Sequence, residues 1–227
     1  MISGATRLVG LIGRPVADSL SPRMQNAAFA AHGLDWAYVP LPVAEKDLEA
    51  AVRGLPALGF AGANVTAPYK VAVAALVEAD VPSVNTLVLD RGRVVGTSTD
   101  TAVLDGIETA RPAVLGDGGA AQAFLAALPH ARAYARRGAW PPDVADADVV
   151  VNATSERDEV VVELKPGQTL IDLPYPDTAT ALAAREAGAA VVTGLEALVA
   201  QGAASFELWT GVPAPVGVMR AAVGLRP

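Results

Sequence analysis

The 227-residue chain contains no cysteine, which excludes a disulfide framework and any chemistry that depends on a thiolate. It has only two histidines, His32 and His130, and neither stands in a cluster of side chains that commonly bind metals. Because a zinc site needs several such ligands at close spacing, we predict that the protein has no bound metal.

Basic residues are also scarce. Lysine and arginine total 17 against 24 acidic residues, so the net charge is −7 and the pI is about 4.8. Nucleic acids and acidic membranes require a positive surface, so we expect neither as a partner. No apolar run approaches the roughly 18 residues that span a bilayer, and the N-terminus lacks the pattern of a secretory signal. We therefore expect a cytoplasmic protein.

Hydrophobic residues make up 52% of the chain, with a mean hydropathy of +0.36, which is ample for a packed core. Short β-branched runs alternate with Ala-rich helical stretches, a pattern typical of an α/β fold with a mainly parallel sheet. Strands are predicted at 8–12, 37–41, 62–66, 85–89, 93–97, 113–115, 132–135, 149–152, 170–173 and 190–193, and helices at 22–32, 45–55, 71–78, 102–109, 120–128, 180–187, 195–208 and 216–223.

A glycine-rich loop follows one of the apolar strands. Gly116, Gly118 and Gly119, with Ala120 after them, precede a helix, so backbone N–H groups and the helix N-terminus can face a pyrophosphate there. This context favours a dinucleotide site, although a plain tight turn has the same composition. Asp117 places a carboxylate inside the loop, and a phosphate tolerates it only if that side chain points outward.

Two arginines, Arg136 and Arg137, follow the next strand. A site that prefers NAD usually carries an acidic residue there for the ribose diol, whereas arginine suits the 2′-phosphate of NADP. NADP is therefore the predicted cofactor. The alternative is that both arginines are solvated residues at a strand end.

Polar residues mark the exits of other strands. Ser19 and Ser21 follow the first strand, where two hydroxyls could bind a carboxylate, or Ser21 could cap the helix that Pro22 begins. Thr66 ends the third strand, and Lys70 follows it at the start of a helix. A lysine at a helix N-terminus opposes the helix dipole, which favours a functional role over the more ordinary one of an exposed surface lysine.

Two more such residues lie near the centre of the chain. Asn85 and Asp100 stand at strand ends, and each is compatible with a functional role, a turn or a helix cap. The stretch 99–109 follows the hairpin turn at Arg91 and Gly92 and precedes a new strand, which suggests a domain junction.

Eight short segments follow one another in register: Ser-Leu-Ser (19–21), Asn-Val-Thr-Ala-Pro-Tyr-Lys (64–70), Val-Asn-Thr (84–86), Ser-Thr-Asp (98–100), Gly-Asp-Gly-Gly-Ala (116–120), Val-Asn-Ala-Thr (151–154), Asp-Leu-Pro-Tyr (172–175) and the stretch 201–211. Their order resembles the shikimate/quinate dehydrogenase family nearly end to end. The segment Asn-Val-Thr-x-Pro-x-Lys is the most specific part of the resemblance.

The resemblance implies a two-domain α/β protein, with residues 1–101 and 205–227 binding the substrate and residues 102–204 forming a reduced Rossmann-type NADP domain. It implies a monomer or homodimer that reversibly reduces 3-dehydroshikimate to shikimate in aromatic amino acid biosynthesis. The residues that it assigns are Lys70 and Asp100 to catalysis, Ser19, Ser21, Thr66, Asn85, Tyr175 and Gln201 to substrate binding, and Gly116, Gly118, Gly119, Ala120, Arg136, Arg137, Thr154 and Gly194 to cofactor binding.

The implied chemistry agrees with the residue types. Hydride delivery to a ketone builds negative charge on oxygen, and the ammonium of Lys70 could stabilise that charge and supply a proton. Asp100 would orient the ammonium and accept a hydrogen bond from the substrate hydroxyl.

The cofactor half departs from the family more than the substrate half. Residues 138–147 replace a helix and strand of the family, so we expect a loop there. Residues 155–158, Ser-Glu-Arg-Asp, stand where the family has a Pro-x-Gly-Met type of loop near the nicotinamide. Ser98, Pro174 and Pro176 are milder changes.

Two alternatives to an NADP-dependent shikimate dehydrogenase stay open. One is a related enzyme that acts on quinate or uses NAD, because the same pocket with small changes can serve either ring. The other is a non-catalytic homologue that binds shikimate-like acids and whose cofactor domain has eroded.

Overall fold

The computed structural model describes residues 2–226. The chain divides into two compact units, a first unit that ends at Thr99 and resumes at Val199, and a second unit that spans Asp100–Leu198. The predicted domain boundaries lie a few residues later.

The strands are β1 (Arg7–Gly13), β2 (Trp36–Pro42), β3 (Phe60–Val65), β4 (Thr86–Asp90), β5 (Arg93–Thr97), β6 (Pro112–Leu115), β7 (Arg132–Tyr134), β8 (Val149–Asn152), β9 (Thr169–Asp172) and β10 (Ala190–Val192). The helices are α1 (Ser21–Ala31), α2 (Leu48–Gly54), α3 (Lys70–Ala74), α4 (Gly119–Ala127), α5 (Ala179–Glu186), α6 (Gly194–Thr210) and α7 (Val216–Ala222).

All ten predicted strands are present in the described residues, and two predicted helices are shorter than expected. Helix α3 ends at Ala74 because the chain after it is drawn to the sheet, where the N–H of Gly96 donates to the carbonyl of Glu78 at 2.8 Å. The helix expected at 102–109 is a 3₁₀ turn over Asp100–Leu104. Gly106, with φ of +76°, takes the chain out of helical geometry soon after this turn.

The first unit is built on a five-stranded sheet of order β2-β1-β3-β4-β5. The first three strands are parallel, and β4 and β5 form an antiparallel hairpin. On one face, Ile12, Val65 and Leu87 pack with residues of α2 and α3 in a buried apolar cluster. Phe29 of α1 and Phe206 of α6 are both buried, with ring centroids 5.4 Å apart.

Helix α6 contacts the sheet of this unit through Trp209. The indole Nε1 donates to the carbonyl of Leu87 at 2.9 Å, and a Cβ built on Gly62 would lie only 2.2 Å from the same nitrogen. Glycine is required at this position because any side chain would displace the tryptophan. This contact holds the last turns of α6 against β3 and β4.

The second unit contains a five-stranded, fully parallel sheet of order β10-β9-β8-β6-β7. Helix α4 connects β6 to β7, and α5 connects β9 to β10, but residues 135–148 and 153–168 cross between strands without a helix. The predicted loss of a helix after β7 is therefore confirmed. These two connections are hereafter called the first and second crossover loops.

Apolar side chains of the crossover loops cover the sheet where helices would otherwise lie. Val144 and Ala147 from the first loop and Val161, Val162 and Leu164 from the second are buried in one cluster with residues of the sheet and α5. The cluster also contains Leu115, Val150, Leu170, Ala181 and Ala184. The sheet thus keeps an apolar cover despite its shortened connections.

No helix within residues 2–226 combines the length and the apolar character that crossing a bilayer would require.

Asp148 holds the chain at the entry to β8. Its carboxylate accepts hydrogen bonds from the hydroxyl of Thr109 and from the backbone N–H groups of Ala110, at 2.8 Å, and Arg111, at 3.0 Å. Desolvation opposes ionisation, but these hydrogen bonds outweigh it and lower the pKa of Asp148 to about 2.

Asp148→Asn is expected to lower the free energy of unfolding by about 1–2 kcal/mol at neutral pH. Because the folded-state pKa lies below the unfolded value, this stability is present above about pH 4 and is lost as the pH falls towards 2. Urea unfolding at several pH values measures the difference between wild type and variant. Asp105→Asn, which changes an exposed carboxylate of the same unit, is the control, and an equal loss in both variants would contradict the role of Asp148.

Candidate active site

The exit of β3 places Thr66 and Lys70 beside neighbouring strands of the first unit. The N–H of Thr66 donates to the carbonyl of Ile12 at 2.8 Å, which continues the pairing of β3 with β1. A Cβ on Gly13 would lie 2.3 Å from the methyl group of Thr66, so glycine makes room for this side chain. Lys70 is half-buried as the first residue of α3, and its carbonyl accepts from the N–H of Val84 at 3.0 Å. Backbone contacts therefore fix both residues.

Ser19 lies between β1 and α1, and Ser21 is the first residue of α1. The hydroxyl of Ser19 accepts from the N–H of Ser21 at 3.3 Å, and Ser21 is buried. The expectation that Ser21 caps α1 is wrong, because the helix begins at Ser21 itself and Leu20 is the capping residue without a side-chain bond. Pro22 does occupy the first turn, as predicted. Since capping does not employ the Ser21 hydroxyl, its predicted role in substrate binding stays open.

A buried network of polar side chains, hereafter the Asn64 network, lies behind these strand exits. The amide nitrogen of Asn64 donates to the carbonyl of Asn85, to the Thr86 hydroxyl and to the Ser205 hydroxyl, each at 3.0 Å. Its amide oxygen accepts from the hydroxyl of Tyr38 at 2.8 Å. All of these side chains are at most 5% exposed, so each polar group depends on the others for its hydrogen bonds.

The same network positions Asn85. Its amide oxygen accepts from the N–H of Thr99 at 2.7 Å and from the Thr86 hydroxyl at 3.0 Å. Its amide nitrogen donates to the Thr99 hydroxyl at 3.0 Å and lies 3.4 Å from the side-chain oxygen of Gln201 on α6. The structure thus brings together two of the predicted substrate-binding residues, and it fixes the residue that precedes Asp100.

Sequence reasoning missed the supporting members of this network. Tyr38 lies in a predicted strand, and Thr86, Thr99 and Ser205 lie in segments that resemble the family but were given no individual role. Ser205 carried one usable signal, because it lies four residues after Gln201 and therefore on the same helix face. The others are connected only by the folded chain.

In the second unit, the glycine-rich loop joins β6 to α4 as predicted. Gly116 has φ of +120°, and a Cβ there would lie 2.9 Å from the carbonyl oxygen of Ala153. Gly118 precedes the first turn of α4 and provides no side-chain cap. A Cβ added at Gly118 would have no atom within 4 Å. The first N–H groups of α4 thus adjoin an open glycine surface, which fits a pyrophosphate. Asp117 is exposed, which meets the condition that the loop imposes on a carboxylate.

The ends of β8 and β9 carry a second polar cluster. Asn152 donates to the carboxylate of Asp172 at 2.7 Å and accepts from the hydroxyl of Thr154 at 2.7 Å, and Thr178 donates to the other oxygen of Asp172 at 2.7 Å. Burial raises the pKa of Asp172, and the two hydrogen bonds oppose that increase. Gly194 begins α6, where a Cβ would lie 2.3 Å from the carbonyl oxygen of Pro174.

The two predicted arginines differ in their surroundings. Arg137 is exposed. The guanidinium of Arg136 lies 3.5 Å from a carboxylate oxygen of Glu156 and 4.0 Å from one of Glu159, and its Cζ is 5.6 Å from the centroid of the Trp140 ring. Arg136, which belongs to the first crossover loop, therefore faces carboxylates of the second.

The predicted site residues fall in both units. Ser19, Ser21, Thr66, Lys70, Asn85 and Gln201 belong to the first, and Asp100, Gly116, Gly118, Gly119, Ala120, Arg136, Arg137, Thr154, Tyr175 and Gly194 belong to the second. Tyr175 is half-buried after β9, and Gly119 and Ala120 open α4. The individual roles of all these residues stay predictions.

Comparison with known proteins identifies the family. A family model described as the shikimate dehydrogenase substrate binding domain matches residues 11–87, and one described as the shikimate 5′-dehydrogenase C-terminal domain matches residues 194–223. Shikimate dehydrogenase (NADP(+)) of Anaeromyxobacter sp. (strain Fw109-5) is 40% identical over 272 aligned positions, which cover 98% of each chain. The chain belongs to the shikimate dehydrogenase family.

Solved structures of this family share the fold. Shikimate dehydrogenase from Aquifex aeolicus matches with a TM-score of 0.89 at 29% identity, over 99% of this chain and 100% of that one. The enzyme from Thermus thermophilus, in complex with NADP(H) and shikimate, matches with a TM-score of 0.84 at 27% identity, over 96% and 98% of the two chains. The predicted fold class is thereby confirmed.

This member of the family is shorter than its curated relatives. The alignment with the Anaeromyxobacter enzyme has 272 positions, 45 more than the 227 residues of this chain. The missing positions agree with a fold in which two crossovers of the second unit contain no helix.

Asn64→Ala is expected to lower the free energy of unfolding by about 3 kcal/mol, because it leaves several buried polar groups without partners. Asn26→Ala is the matched control. The Asn26 side chain makes three hydrogen bonds where that of Asn64 makes four, but Asn26 is exposed, so water can replace its amide and the loss should be about 1 kcal/mol or less. Urea unfolding compares the two, and equal losses would contradict the importance of the buried network.

Gly116→Ala is expected to cost roughly 2 kcal/mol of stability, because alanine is strained at this φ and its Cβ meets the Ala153 carbonyl. Gly118→Ala should leave the free energy of unfolding nearly unchanged, since its φ is −76° and the space around it is open. Thermal and urea unfolding of the two variants measure this. An unchanged free energy of unfolding in Gly116→Ala would show that the loop is not constrained in this way.

Proposed function

We propose that the protein is an NADP-dependent shikimate dehydrogenase that interconverts 3-dehydroshikimate and shikimate. The observation that carries the proposal is the position of Lys70 at the exit of β3, in a chain 40% identical along its length to an enzyme of that name. Lys70 stands at the end of the family-specific segment 64–70, and backbone hydrogen bonds on both sides of it hold that segment in place.

Lys70 is the residue that meets the electrostatic demand of the reaction. NADPH, when bound, would supply the hydride that reduces the ketone. As the carbonyl oxygen gains negative charge, the Lys70 ammonium stabilises it and donates the proton that completes the hydroxyl. In the reverse direction the amine accepts the hydroxyl proton. Asp100 is assigned to orient this ammonium and to bind a substrate hydroxyl.

Six polar residues are assigned to the substrate. Ser19 and Ser21, with Tyr175, are assigned to the carboxylate of the ring acid. Thr66, Asn85 and Gln201 are assigned to its oxygens. Asn85 and Gln201 suit this role because the Asn64 network fixes one and α6 carries the other, so little entropy is lost when they bind.

The cofactor is assigned to the second unit. Gly116, Gly118, Gly119 and Ala120 would contact the pyrophosphate through backbone N–H groups at the start of α4. Arg136 and Arg137 would bind the 2′-phosphate. Thr154 and Gly194, shortly after β8 and at the start of α6, are also assigned to the cofactor.

We further propose a cytoplasmic location and a monomeric or homodimeric state. Gel filtration with light scattering measures the second. Steady-state assays that compare shikimate and quinate, each with NADP and NAD, test the choice of substrate and cofactor. Oxidation of shikimate with NADP should have the highest kcat/KM of the four combinations.

Lys70→Ala is expected to reduce kcat for shikimate oxidation by roughly 10²–10⁴-fold, because it removes both charge stabilisation and proton transfer. Shikimate affinity, measured by calorimetry, should fall much less. Lys46→Ala is the control, since Lys46 is an exposed lysine of the same unit. If Lys70→Ala retains the kcat of wild type, Lys70 has no part in the chemistry.

A further inference from the structure

Arg136 has two anionic neighbours and one aromatic neighbour, all from the crossover loops. Trp140 comes from the first loop and the carboxylates of Glu156 and Glu159 from the second. The side chain of Glu156 is 26% exposed and that of Glu159 is 77% exposed, so Glu156 is the closer and better enclosed partner. The guanidinium that the proposed function assigns to a phosphate thus already has a carboxylate beside it.

The position of Glu156 is built into the second crossover loop. One carboxylate oxygen accepts from the backbone N–H of Arg157 at 3.0 Å and of Asp158 at 3.1 Å. The other oxygen is the one that faces Arg136. The N–H of Glu156 itself donates to the hydroxyl of Thr154 at 3.3 Å. The carboxylate is therefore oriented before any ligand binds.

The loop around Glu156 is anchored on both sides. Thr154 is hydrogen-bonded to Asn152 at the end of β8, and the carbonyl of Arg157 accepts from the N–H of Ala179 at 2.8 Å at the start of α5. The N–H groups of Asp158 and Arg157 hold the pKa of Glu156 below its ordinary value, with a smaller contribution from Arg136. Glu156 is accordingly ionised at neutral pH.

We propose that Glu156 determines cofactor selectivity by competing with the 2′-phosphate of NADP for the guanidinium of Arg136. This inference rests on the proposed function. In the cofactor-free protein Glu156 pairs with Arg136, and the phosphate must displace that carboxylate and then bind near its negative charge. NAD has a hydroxyl at this position and neither displaces nor repels Glu156. Glu156 therefore lowers the affinity for NADP and reduces the ratio of NADP affinity to NAD affinity.

Glu156→Gln is the variant that tests the competition. Glutamine keeps a carbonyl oxygen for the N–H groups of the loop and removes the charge. NADP⁺ affinity should rise roughly threefold to tenfold, as expected for removal of one nearby like charge and one competing partner, while NAD⁺ affinity changes less than about twofold. Glu163→Gln, an exposed carboxylate in the same loop, makes the same change in net charge and should alter neither affinity.

Binding is measured by calorimetry, with adenosine 2′,5′-bisphosphate and adenosine 5′-monophosphate as additional probes that need no catalysis. The gain in affinity caused by Glu156→Gln should appear for the bisphosphate and not for the monophosphate. The gain should largely disappear when Glu156→Gln is combined with Arg136→Ala, because the competition requires the guanidinium. Unfolding curves for all variants check that the loop stays folded.

Three results would overturn the inference. They are equal bisphosphate affinity in wild type and Glu156→Gln, a gain of the same size with Glu163→Gln, and a gain that persists unchanged without Arg136. Failure of the proposed function gives a different result, since a protein that does not oxidise shikimate with NADP can still show the tightening of the bisphosphate. If the enzyme is active but wild type and Glu156→Gln bind the bisphosphate with equal affinity, only the proposed role of Glu156 is disproved.

Discussion

The mutual satisfaction of buried polar groups around Asn64 is the constraint on which the first unit depends. One amide reaches the backbone of Asn85 and the hydroxyls of two other elements, and none of these groups has access to water. A shift of any one strand or helix would leave a buried donor or acceptor without a partner. The strand exits that carry Thr66 and Asn85 and the helix that carries Gln201 are thereby held in a single arrangement.

In the second unit, the parallel sheet is covered partly by loops that contain no helix. Its crossover loops contribute Val144, Val161 and Leu164 in place of helical side chains. Apolar area removed from water does not depend on the secondary structure that supplies it, so the sheet remains covered. The shortened loops also meet at the surface, where Arg136 of the first loop lies beside Glu156 of the second.

Much of the fold followed from the sequence because its signals are local. β-Branched runs, glycines and helical periodicity predicted every strand in the described residues and the start of each α-helix to within a few residues. The errors occurred where long-range contacts overrode local preference. Residues after Ala74 join the sheet instead of extending α3, and Ser21 enters the helix instead of capping it.

Residue order and spacing were enough to predict the family, the α/β class and the segments that carry polar residues at strand exits. The residues that support those segments became evident from the folded chain. Tyr38, Thr86, Thr99 and Ser205 come together across as many as 167 positions of chain, and Glu156 meets Arg136 across two loops. Such contacts join residues that are far apart in the sequence, so no local sequence pattern predicts them.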